Sequence, residues 1–570
     1  MIDPIQNRYN EAKVAREKET NRILESTAPK KIVVAGPGTG KTYLFQQLLK
    51  RNPGNSLTLT FINALVDELS LSLSGLSEVR TLHGYALSVL ASKGFRIFPK
   101  LPKVIANDAR VLREQDVQFE ALFQDDPIDP EKREFYEKRR GLYGQFYGYA
   151  DIIHALVQYY KQNENEIPTF KQILVDEFQD FNKFEVELIE LLAAKSPILI
   201  TGDDDQSLYM HLKKATAAHI RRKHGQGEPD YIPFPLSYCS RSTEVVVEAI
   251  NDFISSAVQR GFLKDRIEKP YKYFPAEKMD EEGKKHQKII FRPVFAHFLT
   301  DYFQSEICNI AKREGGPFDI LIIVPNGMKK VRFPQIRNSL DIAGFRNVRC
   351  AERQDTSVSI ADGLSLIREN PECNLGWRIV LSVIATSDEF RHILKLSAAE
   401  PTAKICALVG EDCASKVRTL ASSFQKLLGG EELENSELDK LLSLAGYDRR
   451  QMAKEKMRED CYSHERAPVS MRSIRDIRIH LTTVVGSKGL SADYVFLLDF
   501  SDGHFSKSKK ISDQNIYDFL VAMTRARKQL YLISPDDKEA YFLGWIKPER
   551  VDRQRPFLIR RAKGRAAGGL

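Results

Sequence analysis

Apolar residues gather along this chain in short, nearly continuous runs. They are KKIVVA at 30–35, LTLTF at 57–61, ILVDE at 173–177, PILIT at 197–201, FDILIIV at 318–324, RIHLTTV at 478–484, DYVFLLDF at 493–500 and QLYLIS at 529–534. Runs of this length, rich in branched residues, predict strands buried on both faces. The helix-patterned stretches between them predict parallel sheets covered on each side. The first four runs group into one α/β core and the last four into another. Two stretches break the rhythm: 86–150, charged and aromatic, reads as a helical insertion, and 370–474, with the capping-type Glu434-Asn435-Ser436-Glu437, as a second, reduced one. The expected division is 1–85 with 151–225 as core one, 226–369 with 475–545 as core two, the two insertions, and a basic tail at 546–570.

Length changes this picture little, since 570 residues exceed one core and call for three or four domains. A composition of 42% hydrophobic and 28% charged residues is that of a globular chain, and the net charge of +8 is compatible with a nucleic-acid partner without demanding one. The seven cysteines are scattered and never spaced Cys-x-x-Cys, which argues against a disulfide framework or a zinc site. No apolar run approaches the ~18 residues that cross a membrane, and the expectation is a cytoplasmic protein without membrane contact. The tail carries Arg550, Arg553, Arg555, Arg560, Arg561, Lys563 and Arg565, and reads equally as a nucleic-acid-binding arm or a solvated terminus.

The chemistry begins at Ala35-Gly36-Pro37-Gly38-Thr39-Gly40-Lys41-Thr42, between the first strand and the helix-patterned YLFQQLLK. In a GxxxxGK[ST] loop, backbone N–H groups freed by glycine converge on phosphates. Lys41 then brings a cation to the β- and γ-phosphates of ATP, and the Thr42 hydroxyl takes one Mg²⁺ position. Gly36, Gly38, Thr39 and Gly40 belong to this cradle, with Ala35 at the pattern's first glycine. Further on, an apolar strand ends in Asp176-Glu177. Asp176 is placed to hold Mg²⁺, and Glu177 to orient and deprotonate the attacking water. An acidic pair after a strand is by itself compatible with a solvated loop; the upstream phosphate loop favours the catalytic reading.

Asp176-Glu177-Phe178-Gln179-Asp180 and Gly202-Asp203-Asp204-Asp205-Gln206-Ser207-Leu208-Tyr209 resemble the DEFQD and GDxDQSIY segments of superfamily 1 DNA helicases of the UvrD/Rep/PcrA type. Thr60-Phe61-Ile62-Asn63 resembles their TFTN segment and Thr81-Leu82-His83-Gly84 their TxHx segment. Leu236-Ser237-Tyr238-Cys239-Ser240-Arg241-Ser242 resembles LxxNYRS, Thr483-Val484-Val485-Gly486-Ser487-Lys488-Gly489-Leu490 resembles TxHxxKGLE, and Val521-Ala522-Met523-Thr524-Arg525-Ala526 resembles YVAxTRA. Asn374-Leu375-Gly376-Trp377-Arg378 matches a further segment. The resemblance spans almost the whole chain in the family's order. It implies two RecA-like P-loop NTPase cores with parallel sheets and two mainly helical insertions, with ATP and Mg²⁺ between the cores. Gln206 and Arg241 would then meet the γ-phosphate, Arg525 would be the arginine finger, and Gly489 would lie beside the nucleotide. Thr60, Phe61, Asn63, His83, His211 and Thr483 would lie on single-stranded DNA, or on a partial duplex, along which a 3′→5′ translocase or helicase moves.

Several positions depart from the family pattern. The glutamine that reads adenine about twenty residues before the phosphate loop is absent from REKETNRIL at 16–24, and the nearest candidate is Gln6. The adenine-stacking tyrosine before Arg241 is Ser240, which predicts weaker discrimination among nucleotides unless Gln6 or Tyr238 substitutes. The base-stacking aromatic after the third motif is His211, and the KGLE glutamate and the histidine before it are Ser491 and Val485. Short insertions make translocation a safer expectation than unwinding. An alternative is an ATP-hydrolysing switch, or the motor subunit of a repair or anti-phage complex. In the latter case the nuclease or effector is a separate chain, because no nuclease constellation follows residue 534.

Overall fold

The computed structural model describes residues 4–61, 63–113, 117–124, 129–209, 214–225, 230–350, 357–428, 443, 477–505 and 511–558. Its strands are β1 (Lys30–Val34), β2 (Ser56–Thr60), β3 (Glu78–Thr81), β4 (Gln172–Val175), β5 (Ile198–Gly202), β6 (Ile232–Pro235), β7 (Tyr238–Cys239), β8 (Lys272–Tyr273), β9 (Ile289–Pro293), β10 (Asp319–Val324), β11 (Val348–Cys350), β12 (Arg478–Thr483), β13 (Ala492–Leu497), β14 (Ala526–Ser534) and β15 (Val551–Arg553). They form a six-stranded sheet in the order β3-β2-β4-β5-β1-β6, a seven-stranded sheet in the order β11-β12-β10-β13-β14-β9-β15, and the pair β7-β8. Every pairing is parallel. The first four predicted runs all lie in the first sheet and the last four in the second. Central strands such as β5 and β2 are buried at every residue, which is why they read as apolar runs.

Strands with weaker patterns complete the sheets. β3, with the sequence EVRT, is an edge strand, and pairing with β2 rather than burial holds it. β6 pairs with β1, so residues 232–235 lie in the first sheet although 226–369 was expected in core two. β15 pairs with β9, which places 551–553 in the second sheet and not in a tail. Short strands with mixed polarity become legible only when a neighbour supplies their hydrogen bonds.

The two insertions pack into one helical body. Leu101, Ile105 and Tyr136 of the first share a continuous core with Trp377 and Val417 of the second, and Leu364 joins it, so the helix Ile360–Glu369 belongs to this body although 226–369 is expected in core two. The helices Ile360–Glu369 and Asn374–Ile384 cross at facing glycines: a Cβ on Gly376 would lie 2.9 Å from the Gly363 carbonyl oxygen. Inside this body Asp108, fully buried, accepts from Arg139 Nε at 2.9 Å and Arg378 Nε at 2.8 Å, and also from the Tyr143 hydroxyl. The residues Glu434 to Glu437 and the tail beyond 558 lie outside the described residues. Among those described, no helix is long and apolar enough to cross a membrane, and the six cysteines are free thiols.

Candidate active site

The order of the first sheet brings the motifs together. β1 lies beside β5 and β5 beside β4, so the loops at their C-terminal ends, 35–40, 203–206 and 176–177, share one edge. The loop after β1 is tied down by the Ala35 N–H on the Gly202 carbonyl at 2.9 Å and by the Thr39 hydroxyl on the Gly36 carbonyl at 2.9 Å. Gly38 and Gly40 take φ of 73° and 96°, which glycine adopts without strain. Gly38 is also crowded: a Cβ there would lie 2.5 Å from Cβ of Arg241. The helix Lys41–Arg51 starts at this loop and turns its N-terminal N–H groups toward whatever anion the loop holds.

The loop, the acids and the second sheet's residues line one cavity of about 260 Å³. Its walls include Gly38, Gly40, Lys41, Thr42, Asp176, Glu177, Gln206, Arg241, Gly489 and Arg525, all expected from sequence. Thr39 is buried, with its hydroxyl spent inside the loop, and Gly36 packs under the ring of Tyr271, so these two shape the cradle rather than line it. Lys488 also lines the cavity. It stood within the matched TxHxxKGLE segment without being singled out as a site residue.

Two carboxylates sit at the cavity's centre in different states. Asp176 Oδ1 accepts from the Thr201 hydroxyl at 2.8 Å and from the Glu177 N–H at 3.0 Å. Burial dominates there and holds its carboxyl above the usual range, against the opposing pull of Lys41. Glu177 sits at φ 55°, a left-handed conformation unusual for a long side chain, and strain of this kind costs about 1–3 kcal/mol. Its carboxylate meets Lys41 Nζ at 3.3 Å, Gln179 Nε2 at 2.7 Å and Lys488 Nζ at 3.7 Å. Burial pushes Glu177 up, but Lys41 and Lys488 overcome it and hold the carboxyl below the usual range. Glu177 is thus kept ionised, able to accept a hydrogen bond from water. Thr42 and Asp176 bring hard oxygen donors to the same cavity, a set that suits Mg²⁺, and the strained ionisation of Asp176 is one that a divalent cation would relieve.

The second sheet contributes two guanidiniums. Arg525, at the end of the helix Asp513–Met523, donates from Nε to the Val521 carbonyl at 3.0 Å and from Nη1 to the Leu490 carbonyl at 3.1 Å. Its Nη2 donates to Gln206 Oε1 at 3.0 Å and to the Thr524 hydroxyl at 2.8 Å. Four of its five N–H groups are spent on positioning, leaving one for a ligand. Arg241 makes no side-chain hydrogen bond among the described residues, so its donors are open to the cavity it lines. Burial, and after it the nearby Arg241, lower Arg525 to about 10. Four cations, Lys41, Lys488, Arg241 and Arg525, therefore share one cavity with two carboxylates.

The expected nucleic-acid contacts are less unified. Thr60 is fully buried, and Phe61 packs against Tyr209 at 4.7 Å and Phe181 at 5.6 Å, so these side chains point into the core instead of onto a strand. The end of β2 is central in its sheet, and burial on both faces claims them. His83 is half-buried and stacks flat on the partly exposed Tyr149 at 4.7 Å, with its Nδ1 3.6 Å from Glu185 Oε1. The Thr483 hydroxyl accepts from the Gly486 N–H at 3.2 Å, shaping the turn after β12. His211, with the side chains of Asn63 and Gln6, lies outside the described residues. On the side expected for the base, Ser240 lines the cavity, whereas Tyr238 is turned edge-on to Phe274 at 6.3 Å.

Comparison with known proteins adds an independent line. Residues 20–211 match the family model of an AAA domain, and residues 408–536 that of a UvrD-like helicase C-terminal domain. The chain is similar to the ATP-dependent DNA helicase Rep of Buchnera aphidicola subsp. Acyrthosiphon pisum, at 22% identity over 88% of this chain and 92% of that protein. It is similar to the ATP-dependent DNA helicase PcrA of Leuconostoc citreum, at 22% identity over 93% of this chain and 84% of that one. Similarity to DNA helicase II of Haemophilus influenzae, at 24% identity, covers 51% of this chain and 40% of that protein.

Proposed function

The chain belongs to the UvrD/Rep/PcrA-type superfamily 1 helicases, and from that premise we propose that it is an ATP-driven motor that moves along single-stranded DNA and acts on partial duplexes. The observation that carries this reading is the cavity itself. Lys41 of the first sheet and Lys488, Arg241 and Arg525 of the second half converge on one volume; the two lysines pair with Glu177, while Arg241 and the remaining N–H of Arg525 are left to meet an anion such as a γ-phosphate. A γ-phosphate seated there draws the two halves together, and its departure removes the attraction. Glu177, held ionised, orients the attacking water, and Gln206 joins the site to Arg525. Mg²⁺, held by Thr42 and Asp176, would neutralise phosphate charge. The family resemblance supports 3′→5′ movement, with His83 and Thr483 on the strand's path.

Steady-state ATP hydrolysis with and without single-stranded DNA tests this. DNA stimulates turnover, and Lys41→Ala lowers kcat on the order of 10²-fold or more by removing the phosphate's cation. Strand displacement with 3′ and 5′ overhangs then reads direction. Turnover that ignores DNA would sink the motor reading and point to a protein partner instead.

Nucleotide choice is a separate expectation. A hydrogen-bonded reading of a base edge is worth about 1–3 kcal/mol of discrimination. With Ser240 at the tyrosine's place and no glutamine in 16–24, kcat/KM for ATP and GTP should agree within about tenfold. A preference for ATP well beyond that would show that another side chain reads the base.

A further inference from the structure

Three consecutive carboxylates, Asp203, Asp204 and Asp205, follow β5 and are at most 5% exposed. Adjacent buried anions of this kind persist only with matching cations. Lys269 supplies the central one: its Nζ lies 2.9 Å from Asp203 Oδ1, 2.6 Å from Asp204 Oδ1 and 2.7 Å from Asp205 Oδ2. Arg266 Nε binds Asp205 at 2.9 Å, and Arg221 Nε binds Asp204 at 3.0 Å. The Ile267 N–H adds a bond to Asp204 at 2.8 Å. Arg221 also donates to the Tyr517 hydroxyl at 3.0 Å, on the helix that leads to Arg525.

The other oxygen of Asp203 faces the active site. Asp203 Oδ2 accepts from Gln206 Nε2 at 2.6 Å, and Gln206 Oε1 accepts from Arg525 at 3.0 Å. A carboxylate on one side and a guanidinium on the other settle which way the Gln206 amide points. We propose that Lys269, seated on the Asp203–Asp205 carboxylates, is a positioning residue that fixes the Asp203 carboxylate in place and thereby aims Gln206 at Arg525 across the nucleotide cleft. Asp204 occupies the free position of the GDxDQ pattern and gives this chain an additional anchor to Lys269 and Arg221. The clamp rests on the hydrolytic reading of the cleft and deepens it: Arg266 and Lys269 follow the helix Glu244–Gln259, so the third motif's loop is fastened to the opposite half of the protein.

The test compares Lys269→Met with the charge-balanced pair Lys269→Met/Asp204→Asn in the full chain, by thermal unfolding and DNA-stimulated ATP hydrolysis. Lys269→Met leaves a surplus buried anion and unfolds at lower temperature; the pair recovers stability because one charge of each sign is gone. In both, kcat falls about 10- to 100-fold while KM for ATP stays within about threefold, because Asp203 has lost its cation and the transition-state contact suffers more than binding. Recovery of kcat together with stability in the pair would overturn the proposal, since a merely structural lysine predicts that outcome. If neither variant folds, Lys269→Arg decides: a planar fork cannot meet three carboxylates at one point. Then kcat falls at unchanged KM, and an unchanged kcat overturns the clamp. A wild-type protein without Lys41-dependent turnover overturns the reading of the cleft and the clamp with it, an outcome visible before any Lys269 variant is compared.

Discussion

Replacing Arg525 by alanine lowers kcat for DNA-stimulated ATP hydrolysis by about 10³- to 10⁵-fold, the range an arginine finger contributes in related phosphoryl transfer. KM for ATP changes far less, because Lys41 and the loop's N–H groups carry ground-state binding. Geometry supports so large an effect. Arg525 is held at four of its five N–H groups, so the fifth is preorganised and needs no reordering as charge develops. Lysine does not rescue the loss, since a point charge cannot hold the Val521, Leu490 and Gln206 contacts together. Steady-state kinetics, with thermal unfolding as the folding control, measures this. A folded Arg525→Ala protein with kcat within tenfold of wild type would remove Arg525 from the mechanism.

The second large effect is on stability. Asp108→Ala destabilises the helical body by about 3–5 kcal/mol, because Arg139 and Arg378 remain buried without their counter-charge. The chain holds two tryptophans, one in each region of interest. Trp377 lies in the core shared by the insertions and Trp545 packs with Phe253 in the main one. Among the described residues Trp545 Nε1 has no hydrogen-bond partner, so Trp545→Phe removes the second signal without breaking a bond. Denaturant unfolding followed through Trp377 in that background isolates the helical body. Replacing all three charges together, as Asp108→Leu/Arg139→Met/Arg378→Met, should restore most of the loss, since an apolar set of similar volume leaves no unpaired ion. A single transition unmoved by Asp108→Ala would mean that the cluster contributes nothing net.

How much was legible in advance divides along physical lines. Strands buried on both faces announced themselves, because a β5 that reads ILITG has no polar face to disguise it. β3, β6 and β15 did not, because edge positions and mixed residues are stabilised by a neighbour's backbone, and no single-segment pattern records the neighbour. In the cavity, Lys41, Thr42, Asp176 and Glu177 were legible as a set because each stands in a short motif of fixed spacing, and the fold brings all four to one wall. Lys269, from a segment outside every motif, gave no signal: a lone lysine becomes meaningful only when three carboxylates close around it. Thr60 and Phe61 show the reverse case, matching a motif while the fold turns their side chains inward.

The sequence by itself therefore determined the two parallel α/β cores, the phosphate loop and its acids, and the family to which their order belongs, because apolar runs and short-range spacing are local properties of the chain. Only the tertiary structure decided that the insertions fuse around Asp108, that β6 and β15 complete the sheets, that Lys488 enters the cleft, and that Lys269 holds the third motif. Each of these depends on groups distant along the chain meeting in a buried, low-dielectric volume. There an unpaired charge or backbone group is too costly to leave, and the partner that satisfies it is chosen by the fold.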